Sequence, residues 1–588
     1  MYGKETGCAH GRGGSMHLID IERGMFGSSA IVGGSMPLPL GAALSFRLRG
    51  EPHVGVAFFG DAGVEGGIFH ECMNFAALRK LPMIFVCENN DYSTMTLRDV
   101  RQSVPIAERA ASYGVPGIRV DGNDVYSVHV RVGEAMERAR KGGGPTFIEA
   151  TTYRWREHVE HNKGIMSRPP EEMVYWRARD PLDRCMRDLE TRGIANLALG
   201  LASEINQEVD EAFAFAEESP SPSVADLMRG VGDELSFIEE PKRPELGRVM
   251  KYADAVAEAT VQAMEVDPNI FLMGLHVTDA NGVFGTTKPA HLRFPDRVFE
   301  TPISEAALTS VATGAALLGM RPLHVHARND FLMLCMDQIA NELAKWCYMS
   351  GGHLHAPVVI RAIVGRSRGQ GCQHSQSLQS LFGHFPGLHV VAPSNAFDAK
   401  GMLMTALSGN TPVIFLEHRL CHPVTTVVPP EWYRVPFGKA RIVREGSDVT
   451  IVALLQMVYE AELAAKQLAA LGISAEVIDL RTVRPWDKET VCASVRKTGR
   501  LIVADTGWMD YGLSSEIAAH VAEHAFADLK GPPMRIALPA CPTPMAEPLE
   551  TAFYPGSREI MIAALRLLDR ELPVLQGDFA TGAITGPF

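Results

Sequence analysis

The pattern of apolar and polar positions near the amino terminus predicts a strand, a turn, a helix and a second strand. An apolar run rich in Val and Phe ends at Gly60-Asp61. An amphipathic segment follows from about Phe69 to Leu81, and a second apolar run, Pro82 to Cys87, leads into Asn89-Asn90. Short apolar runs that end at turn residues are typical of buried strands, so this region is predicted to belong to an α/β domain.

The same alternation continues toward residue 230. A helix is predicted near Val125 to Lys141, because Asn123-Asp124 can cap its start and a glycine run follows its end. A strand is predicted at Pro145 to Ala150. Pro169-Pro170 and Asp180-Pro181 predict the starts of two further helices.

Two later groups of strands and helices are also predicted. The first has a helix from Lys251 to Glu265, a strand from Ile270 to Gly274, and a strand at Val298 that leads into a helix. The second starts near Gly438, and its predicted elements are a strand at 449–455, a helix at 459–471 and strands at 475–480 and 501–505. Strands that alternate with helices predict mainly parallel sheets.

Composition narrows the class of protein. A chain of 588 residues predicts about three or four domains, and 46% hydrophobic with 21% charged residues suits a packed core. The net charge of −13 disfavours nucleic acid and anionic membranes as partners. No run of about 18 apolar residues occurs, and the amino terminus has no apolar signal region. The ten cysteines lack paired spacing, so a reducing cytoplasm is the expected location.

Polar side chains follow the first two predicted strands. Ligands bind at the carboxyl ends of parallel strands, so Asp61 and Asn90 are expected to point into one crevice. One carboxylate, one amide oxygen and one backbone carbonyl suit Mg²⁺, which commonly shares its shell with phosphate oxygens. A diphosphate is therefore the predicted ligand.

These residues resemble a known family motif. Gly60-Asp61, the run Glu65 to Glu71, the run Asn74 to Leu78, and Asn89-Asn90 are similar to the thiamine diphosphate motif of the 2-oxo-acid dehydrogenases, in their first, decarboxylating component. The resemblance implies thiamine diphosphate and Mg²⁺ as cofactors. It also implies that Asp61, Asn90 and the carbonyl of Tyr92 bind the metal, and that the turn at Ala62 and Gly63 contacts the cofactor. Ala62 stands where the family usually has Gly, and its methyl group is expected to restrict the turn.

The residues before this motif also resemble the family. Cys8 to His17 is similar to the segment that precedes the cofactor site, and Ile31 and Val32 begin a stretch that contacts the thiazolium side there. Family members normally have a further upstream segment with a Tyr-Arg pair. Its absence here is explained equally by a truncated gene product, a misassigned start or a separate polypeptide that supplies it.

The loop after the strand that ends near Ala150 is similar to another family motif. The resemblance assigns the family histidine, close to the diphosphate, to His158, although Glu157 replaces a Gly and Val159 replaces the Ser that is phosphorylated in regulated complexes. Val159 therefore argues against such regulation. The alternative is that His158 is an ordinary surface histidine.

A second part of the chain resembles the β subunit of the same family. The run from Pro302 through Ile303 and Ser304 to Glu305 matches the family motif, so Ile303 and Glu305 are expected to contact the aminopyrimidine ring. The family glutamate keeps that ring protonated at N1′, which activates the coenzyme. The alternative role for Glu305 is a first-turn carboxylate that stabilises a helix.

The next strand carries unusual basic residues. His324, His326 and Arg328 alternate and so share one face. The family has a less basic face here, so Arg328 and His326 are expected to adapt the substrate pocket to an acidic group. A metal site on the two histidines is the less favoured reading. Phe331 stands where the family has an aromatic that packs on the pyrimidine, and it also suits a core position.

A histidine further along is the predicted substrate contact. The segment Gly369 to Gln376 resembles the family loop whose histidine approaches the substrate. His374 is therefore expected to stabilise charge that develops on a substrate oxygen.

The predicted fold class is α/β, with three open, mainly parallel sheet domains flanked by helices. The resemblance implies the thiamine diphosphate-binding fold twice and a domain like the transketolase carboxyl-terminal domain. The predicted divisions are residues 1–230 for the diphosphate-binding domain, 231–246 for a linker, 247–435 for the pyrimidine-binding domain and 436–588 for the third domain.

The resemblance implies decarboxylation of a small 2-oxo acid, with acyl transfer to a lipoyl group of a partner acyltransferase. It also implies a homodimer, with active sites formed where the first and second domains of two chains meet. Two alternatives stay open. One is a stand-alone thiamine diphosphate-dependent acyl or ketol transferase, or an acetoin-cleaving enzyme, and the other is a non-catalytic scaffold.

Overall fold

The computed structural model describes residues 1–158, 168–232, 238–366 and 369–571. The chain forms two compact units, each made of three segments. The segments of the first unit are Met1–Val231, Ser304–Met320 and Lys345–Ala356. Those of the second unit are Gly232–Ile303, Arg321–Ala344 and Pro357–Phe588.

The elements up to residue 231 alternate as the hydrophobic pattern predicts. They are α1 (Pro37–Arg49), β1 (Gly55–Gly60), α2 (Gly67–Leu78), β2 (Met83–Asn89), β3 (Tyr92–Ser93), β4 (Thr96–Leu97), α3 (Arg98–Arg101), β5 (Gly117–Asp121), α4 (Val125–Arg140), β6 (Thr146–Thr151), α5 (Pro170–Arg177), α6 (Pro181–Thr191) and α7 (Ala195–Glu218). The parallel sheet has the order β1-β2-β6-β5, and β3 and β4 form a separate small hairpin.

The elements from 232 to 435 also alternate. They are β7 (Val249–Lys251), α8 (Tyr252–Val266), β8 (Ile270–Gly274), α9 (Lys288–Arg293), β9 (Val298–Glu300), α10 (Glu305–Leu317), β10 (Arg321–His326), α11 (Trp346–Met349), β11 (Val359–Val364), α12 (Gln379–Gly383), β12 (His389–Val391), α13 (Ala396–Ser408), β13 (Val413–His418) and β14 (Thr425–Val427).

The remaining elements form a third sheet with its helices and supply β18 to the edge of the preceding sheet. They are β15 (Arg441–Arg444), β16 (Val449–Ala453), α14 (Met457–Ala470), β17 (Ala475–Asp479), β18 (Thr482–Arg484), α15 (Lys488–Thr498), β19 (Leu501–Trp508), α16 (Leu513–His524), β20 (Met534–Leu538), α17 (Glu547–Phe553) and α18 (Ser557–Leu567).

Two large sheets belong to the second unit, together with the antiparallel pair β14-β7. The seven-stranded sheet has the order β18-β12-β13-β11-β10-β8-β9, and the five-stranded sheet has the order β15-β17-β16-β19-β20. Both are parallel except for the strands β18 and β15 at one edge of each. The predicted fold class, three mainly parallel sheets flanked by helices, is confirmed.

Local sequence explains where helices begin and end. The Asp124 carboxylate accepts hydrogen bonds from the backbone N–H groups of Tyr126 and Ser127 at the start of α4, as expected for a cap. Helix α2 ends at Leu78, earlier than predicted. Lys80 adopts a positive φ of 47°, and the Leu81 N–H turns back to donate to the Ala76 carbonyl. That turn places Leu81 outside the helix and buries it ahead of β2.

A close crossing of two helices organises the first unit. Gly41 of α1 and Gly314 of α10 lie where a side chain would collide with the facing backbone. A Cβ atom on Gly41 would lie 2.2 Å from the Val311 carbonyl oxygen, and one on Gly314 would lie 2.1 Å from the Leu38 carbonyl oxygen. The two helices therefore pack with their backbones in contact, which requires glycine at both positions.

This crossing predicts that Gly314→Ala destabilises the protein. The added methyl group would force the two backbones apart, at a cost of about 1–3 kcal/mol. Thermal unfolding of the full chain measures the effect. The matched control is Gly133→Ala in α4, where a Cβ would meet nothing within 4 Å. That variant should be neutral or more stable by up to about 1 kcal/mol. Equal unfolding temperatures for the two variants would contradict the close crossing.

Candidate active site

The predicted metal-binding residues follow neighbouring strands of the first unit. β1 and β2 are parallel, with Gly60 opposite Glu88, so Asp61 and Asn90 both emerge at the same edge of the sheet. Asp61 is only 1% exposed. The Asn90 side-chain oxygen accepts a hydrogen bond from the Tyr92 N–H at 3.1 Å, which closes a turn. The structure thus brings Asp61, Asn90 and Tyr92 to one edge of the sheet.

An arginine that the sequence did not indicate contacts Asp61. The Arg101 guanidinium lies 2.5 Å from Asp61 Oδ2 and also pairs with Glu65. The neighbouring Gln102 side chain donates to the Asp61 carbonyl at 2.9 Å. Arg101 ends the four-residue helix α3, which is too short to produce a periodic signal. A cation bound to Asp61 would compete with this guanidinium for Oδ2.

His158 is connected to the same edge through Arg154. The Arg154 guanidinium donates to the Thr94 carbonyl at 2.5 Å and lies 3.3 Å from His158 Nδ1. Thr94 belongs to the hairpin turn that follows Tyr92, so the histidine is close to the predicted metal-binding loop. Arg154 lies before His158 in the family-like loop that follows the strand ending near Ala150. The sequence alone did not indicate a role for it. Val159 lies outside the described residues.

A second arginine covers the ring of Tyr92. The Arg168 guanidinium lies 4.5 Å from the Tyr92 ring centre and 5.0 Å from that of Tyr153. The Tyr92 hydroxyl donates to Glu172 at 2.9 Å. Burial, together with this hydrogen bond, raises the pKa of Tyr92 to about 12, so the phenol stays protonated at neutral pH.

The other residues predicted to contact the diphosphate side lie in turns next to α1 and β1. Ile31 accepts a backbone hydrogen bond from Gly34, and Val32 is 71% exposed. Ala62 and Gly63 lie in a 3-10 helix that follows β1, and Gly63 packs against Phe59. Ala62 is not among the residues with positive φ. Ala62 therefore lies in a helical turn, a conformation that alanine adopts readily.

Glu305 is the first residue of α10 and is 9% exposed. A second carboxylate, Glu71 of α2, accepts a hydrogen bond from the Ala307 N–H at 2.9 Å and so caps the same helix. Burial raises the pKa of Glu71, and the negative charge of Glu305 raises it further. Glu71 ends the family-like run that starts at Glu65, but the sequence alone did not indicate a role for this carboxylate. Two carboxyl groups therefore meet at one helix start.

The remaining predicted site residues belong to the second unit. Phe331 and His374 are brought together, with ring centres 5.3 Å apart and planes nearly perpendicular. His374 is exposed, and Ile303 is 78% exposed. His324 and His326 are buried neighbours, and burial lowers the pKa of His326 to about 4. No cluster of three metal-ligating side chains occurs in the described parts of the chain.

Comparison with protein families identifies three matching regions. Residues 1–225 match the Dehydrogenase E1 component family. Residues 248–423 match the transketolase pyrimidine binding domain, and residues 438–560 match the transketolase C-terminal domain.

The most similar relatives include β subunits of two kinds of enzyme. Acetoin:2,6-dichlorophenolindophenol oxidoreductase subunit beta of Cupriavidus necator is 41% identical over 333 residues, which cover 55% of this chain and 98% of that protein. The subunit of the same name from Bacillus subtilis is 39% identical, with the same coverage. Pyruvate dehydrogenase E1 component subunit beta-1 of Oryza sativa is 41% identical over 55% of this chain and 88% of its own length.

Among solved structures, a split gene transketolase in an inactive β4 tetramer matches with a TM-score of 0.46 and 25% identity, over 54% of this chain and 98% of that chain. In the described parts of the chain, no helix combines the length and apolar character needed to cross a bilayer.

The fold and the three matched regions define a thiamine diphosphate-dependent enzyme of the transketolase-like class. The chain belongs to the 2-oxo-acid dehydrogenase E1 family, with its α-subunit-like and β-subunit-like parts fused in one polypeptide. It is a 2-oxo-acid dehydrogenase that uses thiamine diphosphate to decarboxylate a 2-oxo acid. This membership favours the enzymatic interpretation over a non-catalytic scaffold.

The carboxylate pair predicts a pH-dependent effect of Glu71→Gln. The pKa of Glu71 is raised above its ordinary value of 4.5, so the stability that its protonated form contributes is lost as the pH rises through the raised pKa. Glutamine does not ionise. Glu71→Gln should therefore gain thermal stability relative to wild type as the pH increases above 4.5, measured by thermal unfolding at a series of pH values.

Glu137→Gln is the control, because the pKa of Glu137 is shifted in the opposite direction from that of Glu71. The Lys141 ammonium lowers the pKa of Glu137, so this carboxylate stabilises the fold above its unfolded-state pKa rather than below it. The Glu137→Gln variant should gain nothing as the pH rises. A Glu71→Gln curve parallel to wild type would contradict the raised pKa of Glu71.

Proposed function

We propose that this protein catalyses the Mg²⁺-dependent oxidative decarboxylation of a 2-oxo acid and transfers the acyl group to a lipoyl group of a partner acyltransferase. The observation that carries the proposal is the buried Asp61 beside the Asn90 turn, within the region that matches the Dehydrogenase E1 component family. Oxygen donors at the carboxyl ends of two neighbouring parallel strands suit a metal-bound diphosphate.

In this proposal Asp61, Asn90 and the Tyr92 carbonyl bind Mg²⁺. The donors fit the ion, because a carboxylate, an amide oxygen and a backbone carbonyl are hard oxygen ligands. Arg101 neutralises the buried Asp61 when no metal is bound, since an unpaired buried carboxylate is costly. When the metal is bound, Arg101 is available to pair with Glu65 alone.

Ile31, Val32, Ala62, Gly63 and His158 contact the diphosphate and thiazolium parts of the cofactor in this proposal. The surroundings fit a diphosphate, because Arg154 and Arg168 supply positive charge beside this group of residues. Guanidinium groups pair well with phosphate oxygens.

Ile303, Glu305 and Phe331 contact the aminopyrimidine. Thiamine diphosphate supplies a carbon nucleophile and an electron sink when bound. Glu305 holds a proton at N1′ of the ring, and its burial at the start of α10 suits a carboxyl group that must share a proton. His374 stabilises negative charge on the substrate oxygen, and the adjacent Phe331 ring limits its orientation.

We also propose the wider organisation. The working enzyme is a homodimer with the domain divisions 1–230, 247–435 and 436–588 around a linker at 231–246. It works in the cytoplasm, which is supported by ten cysteines that form no disulfide in the described residues, five of them partly or fully exposed. The linker includes residues outside the described ranges.

Acetoin cleavage is a second candidate reaction. Two of the most similar relatives are named as acetoin oxidoreductases, with 41% and 39% identity. Acetoin lacks a carboxyl group, so its cleavage uses the same cofactor without the release of CO₂. The choice between the two reactions is a matter of substrate.

The reduction of 2,6-dichlorophenolindophenol tests the proposal. The assay compares pyruvate, branched-chain 2-oxo acids and acetoin, with wild type and Glu305→Gln. Loss of the N1′ proton contact should lower kcat by about 10²- to 10⁴-fold with each substrate that is used. A second arm adds a lipoyl domain, and acyl-dihydrolipoyl product is expected for the 2-oxo acid.

The control is Glu489→Gln, which replaces an exposed first-turn glutamate of α15. It should keep full activity. If Glu305→Gln kept full activity and only lowered the unfolding temperature, Glu305 would be a capping residue and the proposed role would be wrong. Free acid or aldehyde as the sole product in the presence of the lipoyl domain would exclude lipoyl transfer.

A further inference from the structure

Three arginines lie at the carboxyl ends of neighbouring strands in the second unit. Arg328 follows β10, Arg366 follows β11 and Arg419 follows β13, and these strands are adjacent in the order β13-β11-β10. The strands are parallel, with His326 opposite Ala362 and Val364 opposite His418. All three arginines therefore emerge at one edge of the sheet, which is where parallel sheets bind ligands. We call them the arginine cluster.

One arginine of the cluster is buried, and the other two are more exposed. Arg328 is 6% exposed, and its guanidinium donates to the Gly365 carbonyl at 3.1 Å, directly before Arg366. Arg366 and Arg419 are partly exposed. Burial lowers the pKa of Arg328, the Asp330 carboxylate raises it, and the positive charge of Arg419 lowers it, so both groups lie close to this guanidinium.

The histidine beside the cluster, His418, is buried and uncharged. His418 is 2% exposed and precedes Arg419. Burial, the charges of Arg366 and Arg328, and His422 lower the pKa of His418 to about 3. It is therefore neutral at physiological pH, and it adds a polar side chain but no charge to this edge of the sheet.

Two carboxylates follow or adjoin the strands that carry the cluster, and each has a partner outside it. Glu417 lies 2.7 Å from the Arg361 guanidinium and 3.4 Å from His422. Asp330 accepts hydrogen bonds from the Gln376 backbone and side chain, the latter at 2.9 Å. Asp330 still interacts with Arg328, whose pKa it raises, but neither acid forms an ion pair with Arg366 or Arg419 among the described residues.

Two of the three guanidinium groups contact aromatic rings instead of acids. Arg366 lies 4.9 Å from the ring centre of Tyr554, and Arg419 lies 3.9 Å from that of Phe284. Neither forms an ion pair with a carboxylate of the residues that the structure describes. Stacked guanidiniums keep their N–H edges directed outward for a planar anion. Partly buried like charges without counter-ions are unfavourable, and a bound anion would offset that cost.

The cluster is connected to the loop that carries His374. The Arg328 guanidinium pairs with the Gln370 side chain, and Asn329 donates to the Gln376 carbonyl at 2.9 Å. Both ends of the segment around His374 are thus tied to the end of β10. An anion on the arginine cluster would lie beside the loop that is proposed to contact the substrate.

We propose that the arginine cluster binds the distal carboxylate of the substrate, so that the preferred substrate is an acidic, dicarboxylic 2-oxo acid. This inference rests on the proposed function and specifies its substrate class. The fork of an arginine side chain matches the two oxygens of a carboxylate, and three such side chains converge at this edge. A substrate with a neutral tail would leave the Arg366 and Arg419 guanidiniums without an ionic partner, which disfavours its binding.

A pair of substrates of similar shape tests the proposal in the full chain loaded with thiamine diphosphate and Mg²⁺. 2-Oxoglutarate carries a distal carboxylate, and 5-methyl-2-oxohexanoate replaces it with an isopropyl group. Wild type should favour 2-oxoglutarate in kcat/KM. Arg419→Gln and Arg366→Gln should each raise KM for 2-oxoglutarate by about 10- to 100-fold, the effect of one charged hydrogen bond. KM for the neutral analogue should stay unchanged, and Arg419→Lys should restore part of the loss. Equal preference for the two substrates in wild type would overturn the proposal.

Calorimetric titration of the full chain with glutarate, in the absence of cofactor, separates this inference from the proposed function. Glutarate has no keto group and cannot react. Wild type and the control Arg293→Gln, an exposed arginine paired with Glu265, should bind it. The double variant Arg366→Gln with Arg419→Gln should not. Glutarate binding without decarboxylation would refute the proposed function and support the anion site. Decarboxylation of neutral substrates without glutarate binding, or binding of inorganic phosphate in its place, would refute the dicarboxylate assignment.

Discussion

The backbone contact between α1 and α10 is the constraint on which the proposed site depends. Gly41 and Gly314 allow the two helices to touch without side chains between them. The helix α10 is buried along almost its whole length, and Glu305 is its first residue. A helix held this closely cannot slide or rotate without a clash, so the position of Glu305 is fixed by packing rather than by a flexible loop.

Electrostatics at strand ends is the second theme of the structure. In the first unit a buried carboxylate, Asp61, is neutralised by Arg101. In the second unit the charged side chains at the strand ends are arginines instead of carboxylates. Two of them, Arg366 and Arg419, contact aromatic rings. Both arrangements follow from parallel strands, whose carboxyl ends collect the loops of several crossovers at one edge. One architecture thus places a buried carboxylate at the edge of one sheet and three arginines at the edge of another.

Much of this arrangement could be predicted from the sequence, since it depends on local patterns. The strands around Asp61 and Asn90 are apolar runs that end in turn residues, and the Asp124 cap is visible as a residue type. The start of α10 follows a family-like motif. The resemblance to the 2-oxo-acid dehydrogenases, which the comparisons confirm, also depended on such short motifs.

The contacts between distant segments could not be predicted in this way. Arg101 reaches Asp61 from a short irregular stretch, and Glu71 meets Glu305 only because α2 and α10 pack together. The sequence indicated Arg328 as unusual, but Arg366 and Arg419 become its neighbours only through the strand order. The 3-10 turn at Ala62 was likewise not visible in the sequence, where only the departure from the family pattern could be seen. Residue type alone does not report the backbone conformation.

The most direct test of the account is whether the chain binds its cofactor in the way that the Asp61 site requires. Calorimetric titration of the purified full chain with thiamine diphosphate, in the presence of Mg²⁺ and in the presence of a chelator, measures this. The account predicts saturable binding with Mg²⁺ and binding weaker by at least about tenfold without it, because Asp61 and Asn90 would hold the metal that offsets the charge of the diphosphate. Equal affinity under both conditions, or no binding under either, would contradict it.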